Sequence, residues 1–111
     1  DIIMGHGPHY PLPIEVYRGR PIFYGMGNLT FNTGHLGRAH AGWVGLLVEL
    51  AVDGGSAIDC CFRFVRANDD NESYFSPATA EASVLADLIA RSAKLAATLK
   101  GDGERVRILR C

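Results

Sequence analysis

The chain has 111 residues and a mass of 12.0 kDa, enough for one domain with one modest core. Apolar residues make up 48% and charged residues 21%, which excludes a disordered or collagen-like chain. Eleven basic residues against 12 acidic ones leave a formal charge of -1, so no basic excess exists to hold a phosphate backbone and nucleic acid is not an expected partner.

Residues 1–5 (DIIMG) read as a short buried strand that ends at a glycine. The strand-like residues follow Asp1 at once, and we expect the chain to be part of a longer protein. No secretory signal is visible. Residues 6–13 (HGPHYPLP) carry three prolines and two histidines and read as a loop. Strands are predicted near 14–17 and 21–25, on either side of Arg18-Gly19-Arg20, where Gly19 is able to take a positive φ. Pro21 then belongs at a strand start or on an edge. Residues 25–42 are rich in Gly, Asn, Thr and His and read as a long loop.

The clearest hairpin follows, with strands near 43–52 and 56–66. Val44, Leu46, Val48, Leu50 and Val52 share one face at period two, Asp53-Gly54-Gly55 is turn chemistry, and Ile58, Cys60, Phe62 and Phe64 share one face of the return strand. The apolar stretch from Ala41 to Val52 is interrupted by Glu49 and falls short of the roughly 20 residues of a membrane-spanning helix, so no span is expected. Residues 66–76 read as a polar loop. Ser76-Pro77 resembles a helix start, and Val84, Leu85, Leu88, Ile89, Leu95 and Leu99 fit a helical stripe, so one long helix is predicted near 77–100 with Gly101 as its stop. RVRIL predicts a last strand near 104–109. The sum is an α/β chain with a mixed sheet, hairpins and one long helix.

Among the residues suited to chemistry, Gly5-His6-Gly7-Pro8-His9 stands first, because it follows a strand directly. Imidazole suits Zn, Mn, Fe or Ni. Gly5 and Gly7 leave room for a metal or an anionic oxygen beside the backbone, and Pro8 stiffens the loop. Bare H-x-x-H spacing is weak evidence by itself, and its plain reading is one hydrogen-bonded and one solvated histidine. The other features have structural readings. Gly25-Met26-Gly27-Asn28 lacks the Lys-Ser/Thr of a phosphate loop and reads as a tight turn. His35 and His40 read as solvated, Trp43 as core or interface, and Glu15 as a solvated strand position. Asp69, Asp70 and Glu72 lack calcium-loop spacing. Ser83 and Ser92 have no nucleophile pattern around them. Cys60, Cys61 and Cys111 form no metal or disulfide pattern, and the adjacent pair reads as one buried and one half-buried thiol.

The ordered series Gly5-His6-Gly7-Pro8-His9, Pro13 to Tyr17, Gly19, Pro21 to Tyr24 and Gly27-Asn28 resembles the CapA family of poly-γ-glutamate (capsule) synthesis proteins, within the calcineurin-like metallophosphoesterase superfamily. The resemblance is dense over the first 31 residues and weaker but compatible from Trp43 to Leu109. It implies the C-terminal half of a metallophosphoesterase-like αββα sandwich, organised as a motif-bearing strand-loop-hairpin at 1–31, a hairpin at 43–66 and a helix at 77–100. It also implies a two-metal site of divalent ions, with His6 and His9 as metal-binding and catalytic residues. Gly5, Gly7 and Asn28 become supporting loop residues, and a bacterial cell-envelope location follows. The family's earlier ligand motifs do not occur in this sequence: no Asp-x-His is present, and Leu29 follows Asn28 where a ligand-type Asn-His would carry histidine. The expected partner is therefore the remaining part of the domain or a second copy. The alternative reading is a non-catalytic structural or partner-binding module of the same fold. A third is a small ligand-binding domain unrelated to this family.

Overall fold

The computed structural model describes residues 2–29, 44–54, 57–68, 70 and 72–109. The expected α/β class holds, but the strands form two sheets rather than one mixed sheet. In the first, β1 (Ile3–Met4) pairs in parallel with β3 (Arg20–Phe23), and β2 (Ile14–Tyr17) pairs antiparallel on the other side of β3. The β2–β3 turn is Arg18-Gly19, with φ of 50° and 73°. Two left-handed residues make the type I′ geometry whose twist matches paired strands. Pro21 is the second residue of β3 and precedes the first β1 contact at Ile22, so its missing N–H breaks no β1 bond.

The second sheet is antiparallel throughout. It contains β4 (Gly45–Asp53), β5 (Ala57–Ala67), β6 (Ser73–Ser76), β7 (Thr98–Gly101) and β8 (Arg105–Leu109), in the order β4-β5-β8-β7 with β6 also on β5. The period-two pattern sets its register: Leu46 faces Phe64, and Val48 faces Phe62. Phe62 also faces Val106 on β8. These side chains point into one core with Ile14, Phe23, Val44 and Leu88. Phe62 and Phe64 meet edge to face, with ring centres 5.6 Å apart.

Three expectations are corrected. First, the helix does not run from 77 to 100. A 3₁₀ turn at Ala78–Glu81 leads into α1 (Ala82–Ala93), and the chain then turns at Lys94–Ala96. The Ser92 carbonyl accepts hydrogen bonds from both Leu95 N–H (2.9 Å) and Ala97 N–H (3.1 Å), and Ala96 takes φ 60°. That left-handed residue stops the helix without glycine. Leu99, read as helical, is a buried residue of β7, and Gly101 ends that strand instead of a helix. Second, part of the loop expected at 66–76 is strand β6, and Ser76 caps no helix because its hydroxyl bonds to Glu81. Third, β1 is not buried: Ile3 is 58% and Met4 43% exposed.

α1 lies against β7 and β2. Its fully buried Ser92 accepts a hydrogen bond from Ile14 N–H at 2.9 Å, which ties the helix to the first sheet. No helix among the described residues is long and apolar enough to cross a membrane.

Candidate functional site

The site is built where the first sheet meets the start of the second. Beyond the last β1–β3 pair, Gly5 N–H donates to Phe23 O at 2.6 Å. A Cβ on Gly5 would stand 2.5 Å from Tyr24 O, so only glycine lets the two backbones run so close. The loop then swings out through His6 to Tyr10 and returns: Pro11 bridges Met26, and Leu12 N–H donates to Gly25 O at 3.0 Å.

The segment after β3 is gripped from its other side by β4. Leu46 N–H donates to Met26 O at 2.7 Å, and Gly27 takes φ +70°. A Cβ on Gly45 would overlap the Asn28 carbonyl oxygen. Asn28 is thus positioned by backbone contacts on both flanks.

Its side chain faces the histidine loop. The His9 Nδ1–H donates to Asn28 Oδ1 at 3.1 Å, in a half-buried contact between residues 19 apart in sequence. With the proton on Nδ1, the lone pair of the ring lies on Nε2, the form that suits a metal ligand or a proton acceptor. The histidine loop and the segment after β3 thus meet through this contact. His6 sits exposed on the outer part of the loop, three residues before His9.

This arrangement fits a contribution to a metal site. A metal-bound imidazole normally passes its other ring N–H to an oxygen acceptor, as His9 does to Asn28. A catalytic metal takes about three protein ligands. Among the described residues no group of three or more His, Cys, Asp or Glu side chains is placed to hold one.

His35, His40, Trp43, Asp69 and Cys111 lie outside the described residues. Asp70 and Glu72 are exposed, in a turn closed by Asn68, whose Oδ1 accepts from Asp70 N–H (3.0 Å) and Glu72 N–H (2.8 Å). Glu15 is more than a solvated strand position, because its carboxylate accepts a hydrogen bond from the Tyr24 hydroxyl. That bond, with smaller effects of burial and of the Glu15 charge, raises the Tyr24 pKa. Cys60 is buried and Cys61 half-buried, both as free thiols. Burial first, then the nearby Cys61 and Asp59 charges, push Cys60 up to about 12.

The sequence reading missed a buried charge cluster. Glu81 is 5% exposed and receives two hydrogen bonds from Arg66, Nε to Oε2 and Nη2 to Oε1, each 2.6 Å, and a third from Ser76 Oγ at 2.6 Å. Burial raises its pKa, but the bonds from Arg66 and Ser76 outweigh this, and the net shift is downward. No local pattern marks Glu81, because its partners lie 15 and 5 residues away on β5 and β6.

Comparison with known proteins places one stretch of the chain. Residues 1–33 match the family described as bacterial capsule synthesis protein PGA_cap. A "PGA biosynthesis protein CapA" of Bacillus subtilis is 59% identical over 34 residues, which cover 31% of this chain and 9% of that protein. A "probable polyglutamine synthesis accessory protein" of Mycobacterium tuberculosis is 55% identical over 29 residues, 26% of this chain and 8% of that protein. An uncharacterised Sinorhizobium fredii protein is 50% identical over 32 residues, 29% of this chain and 7% of its own length. The matches thus span under a tenth of the length of these relatives. The family match falls on β1, the histidine loop, the β2–β3 hairpin and Asn28, so the similarity to the bacterial capsule synthesis family lies in the first third of the chain.

Proposed function

We infer that this chain is the C-terminal part of a CapA-like, metal-dependent hydrolase-fold protein that serves poly-γ-glutamate or capsule synthesis. The observation that carries the reading is the His9–Asn28 hydrogen bond, made by two residues of the stretch that matches this family. His9 and His6 would hold divalent metal, with the remaining ligands supplied by protein outside the described residues. When bound, a metal pair supplies an activated water and charge stabilisation at the reacting oxygens. Asn28 keeps the His9 proton on Nδ1. Gly5 and Gly7 keep side chains away from the approach to the loop, and Pro8 limits its freedom before binding. A cell-envelope location belongs to the same reading.

The test is a chimera in which the 34 matched residues of the Bacillus subtilis relative are replaced by those of this chain. Polymer production by the chimera, and its loss in His9→Ala, is the expected result. A chimera that melts like its parent but yields no polymer overturns the reading. The competing reading, a non-catalytic module of the same fold, draws on the incomplete ligand set among the described residues. It expects production to survive both His6→Ala and His9→Ala.

A further inference from the structure

Ser73 and Phe75 alternate along β6 and so share a face, opposite Ala67 and Val65 of β5. This is the outer face of the second sheet, because the neighbouring Phe64 points into the core. Val65 is nevertheless only 3% exposed. This end of the sheet is therefore covered on both sides. The outer cover includes Leu29, which lines a small apolar depression with Leu47, Val65 and Phe75. Arg63 of β5 stacks on the Phe75 ring, 3.6 Å from its centre.

Leu29 directly follows Asn28, and its carbonyl accepts a hydrogen bond from the Ser73 hydroxyl at 2.5 Å, between residues 44 apart in sequence. This bond adds to the two backbone contacts that β4 makes with the same segment, Leu46 N–H on Met26 O and Gly45 against the Asn28 carbonyl. Those come from β4; Ser73 acts from β6, on the far side of Asn28. Local chemistry places the serine. Asn68 N–H donates to Glu72 O at 2.9 Å, its Oδ1 accepts from Glu72 N–H at 2.8 Å, and its Nδ2 donates to Glu72 Oε1 at 3.1 Å. The residue just before Ser73 is thus tied to the end of β5.

We propose that Ser73 is a positioning residue of the histidine site: its hydroxyl fixes Leu29 and so holds the Asn28 carboxamide where it keeps the His9 proton on Nδ1. The proposal rests on the reading above for the role of His9. The His9–Asn28 bond is 3.1 Å long, near the upper end of the normal range, so a small displacement of residue 28 breaks it. With Leu29 released from β6, the backbone that carries Asn28 is held from β4 alone. Its carboxamide then spends less time facing the ring, and Nε2 loses its preference for the unprotonated form.

The experiment is nitrogen NMR of the histidine rings in the 111-residue chain at about pH 8, where imidazole is neutral. The His9 signals are identified by their loss in His9→Ala. Ser73→Ala removes one exposed hydroxyl and should keep the cooperative melt, while the ratio of Nδ1-protonated to Nε2-protonated His9 falls roughly fivefold. Ser73→Thr keeps a hydroxyl and should restore the parent ratio. His6, on the same loop, should be unmoved in both. A parent-like His9 ratio in Ser73→Ala overturns the proposal, and a lower melting temperature beside it assigns Ser73 a purely structural role. A ratio lost equally in Ser73→Thr also overturns it, because the hydroxyl is then not the cause. Polymer production by the chimera reads the functional proposal and the ring ratio reads Ser73, so either fails alone.

Discussion

His9 Nδ1 lies 3.1 Å from Asn28 Oδ1, and this contact joins the loop after β1 to the segment after β3. Asn28 is itself pressed against Gly45 at the start of β4, so both sheets fix the imidazole. Removing the acceptor should change the tautomer. In the parent chain, nitrogen NMR should find the His9 proton on Nδ1; in Asn28→Ala it should shift toward Nε2, while the fold persists. An unchanged proton position in the variant would count against the orienting role of Asn28.

The close approach at Gly45 gives a second way to disturb the same contact. A Cβ there would overlap the Asn28 carbonyl, and the obstacle is backbone rather than a flexible side chain. Gly45→Ala should displace residues 27–28, alter the His9 ring signals and lower stability by about 1–3 kcal/mol. Parent-like ring signals in a stable Gly45→Ala protein would contradict the packing described.

Much of this was legible from residue order, and the misses have physical causes. The β2–β3 and β4–β5 hairpins follow from period two and from Arg18-Gly19 and Asp53-Gly54, since one buried face leaves a single register. The helix was read too long because Leu95 and Leu99 continue the stripe of α1. Local spacing does not reveal that the Ser92 carbonyl captures Leu95 and Ala97 and that Ala96 turns left-handed. β6 escaped because Tyr74 and Phe75 are exposed, so SYFS carries no buried alternation. At the site, the motif series singled out Gly5 to His9 and Gly27-Asn28, but not the hydrogen bond between His9 and Asn28. It depends on the close backbone approach of Gly27 to Val44 and of Gly45 to Asn28, which local spacing does not show.

The Arg66–Glu81 pair makes a stability prediction. Arg66→Ala leaves a carboxylate that is 5% exposed without its charged partner, and should cost about 3 kcal/mol or more in chemical denaturation. Arg91→Ala removes only an exposed pair with Asp87, one helical turn away, and should change stability by no more than about 0.5 kcal/mol.

The same cluster fixes a pH dependence. The folded pKa of Glu81 lies below its ordinary value. Its stabilising contribution is therefore fully present above the ordinary carboxylate pKa and is lost as pH falls through the lowered folded value. Melting temperature should fall on acidification across that window, and Glu81→Gln should show a shallower fall from a lower starting point. A parent and variant with parallel acid profiles would refute the coupling.

The adjacent thiols should separate kinetically. Cys60 is 5% exposed and its pKa is pushed up to about 12, chiefly by burial. In a Cys111→Ser background, a disulfide reagent near neutral pH should modify Cys61 first and reach Cys60 only on unfolding. Equal rates for the two in the folded chain would contradict their placement on opposite faces of β5.

The most direct test of the central claim, that the histidine loop helps hold metal, is the metal content of the Bacillus subtilis chimera purified with its native ions. The account predicts bound divalent metal in the chimera and a marked loss in His9→Ala, with His6→Ala and Asn28→Ala also weakening retention. Full metal occupancy in a folded His6→Ala/His9→Ala double variant would contradict it.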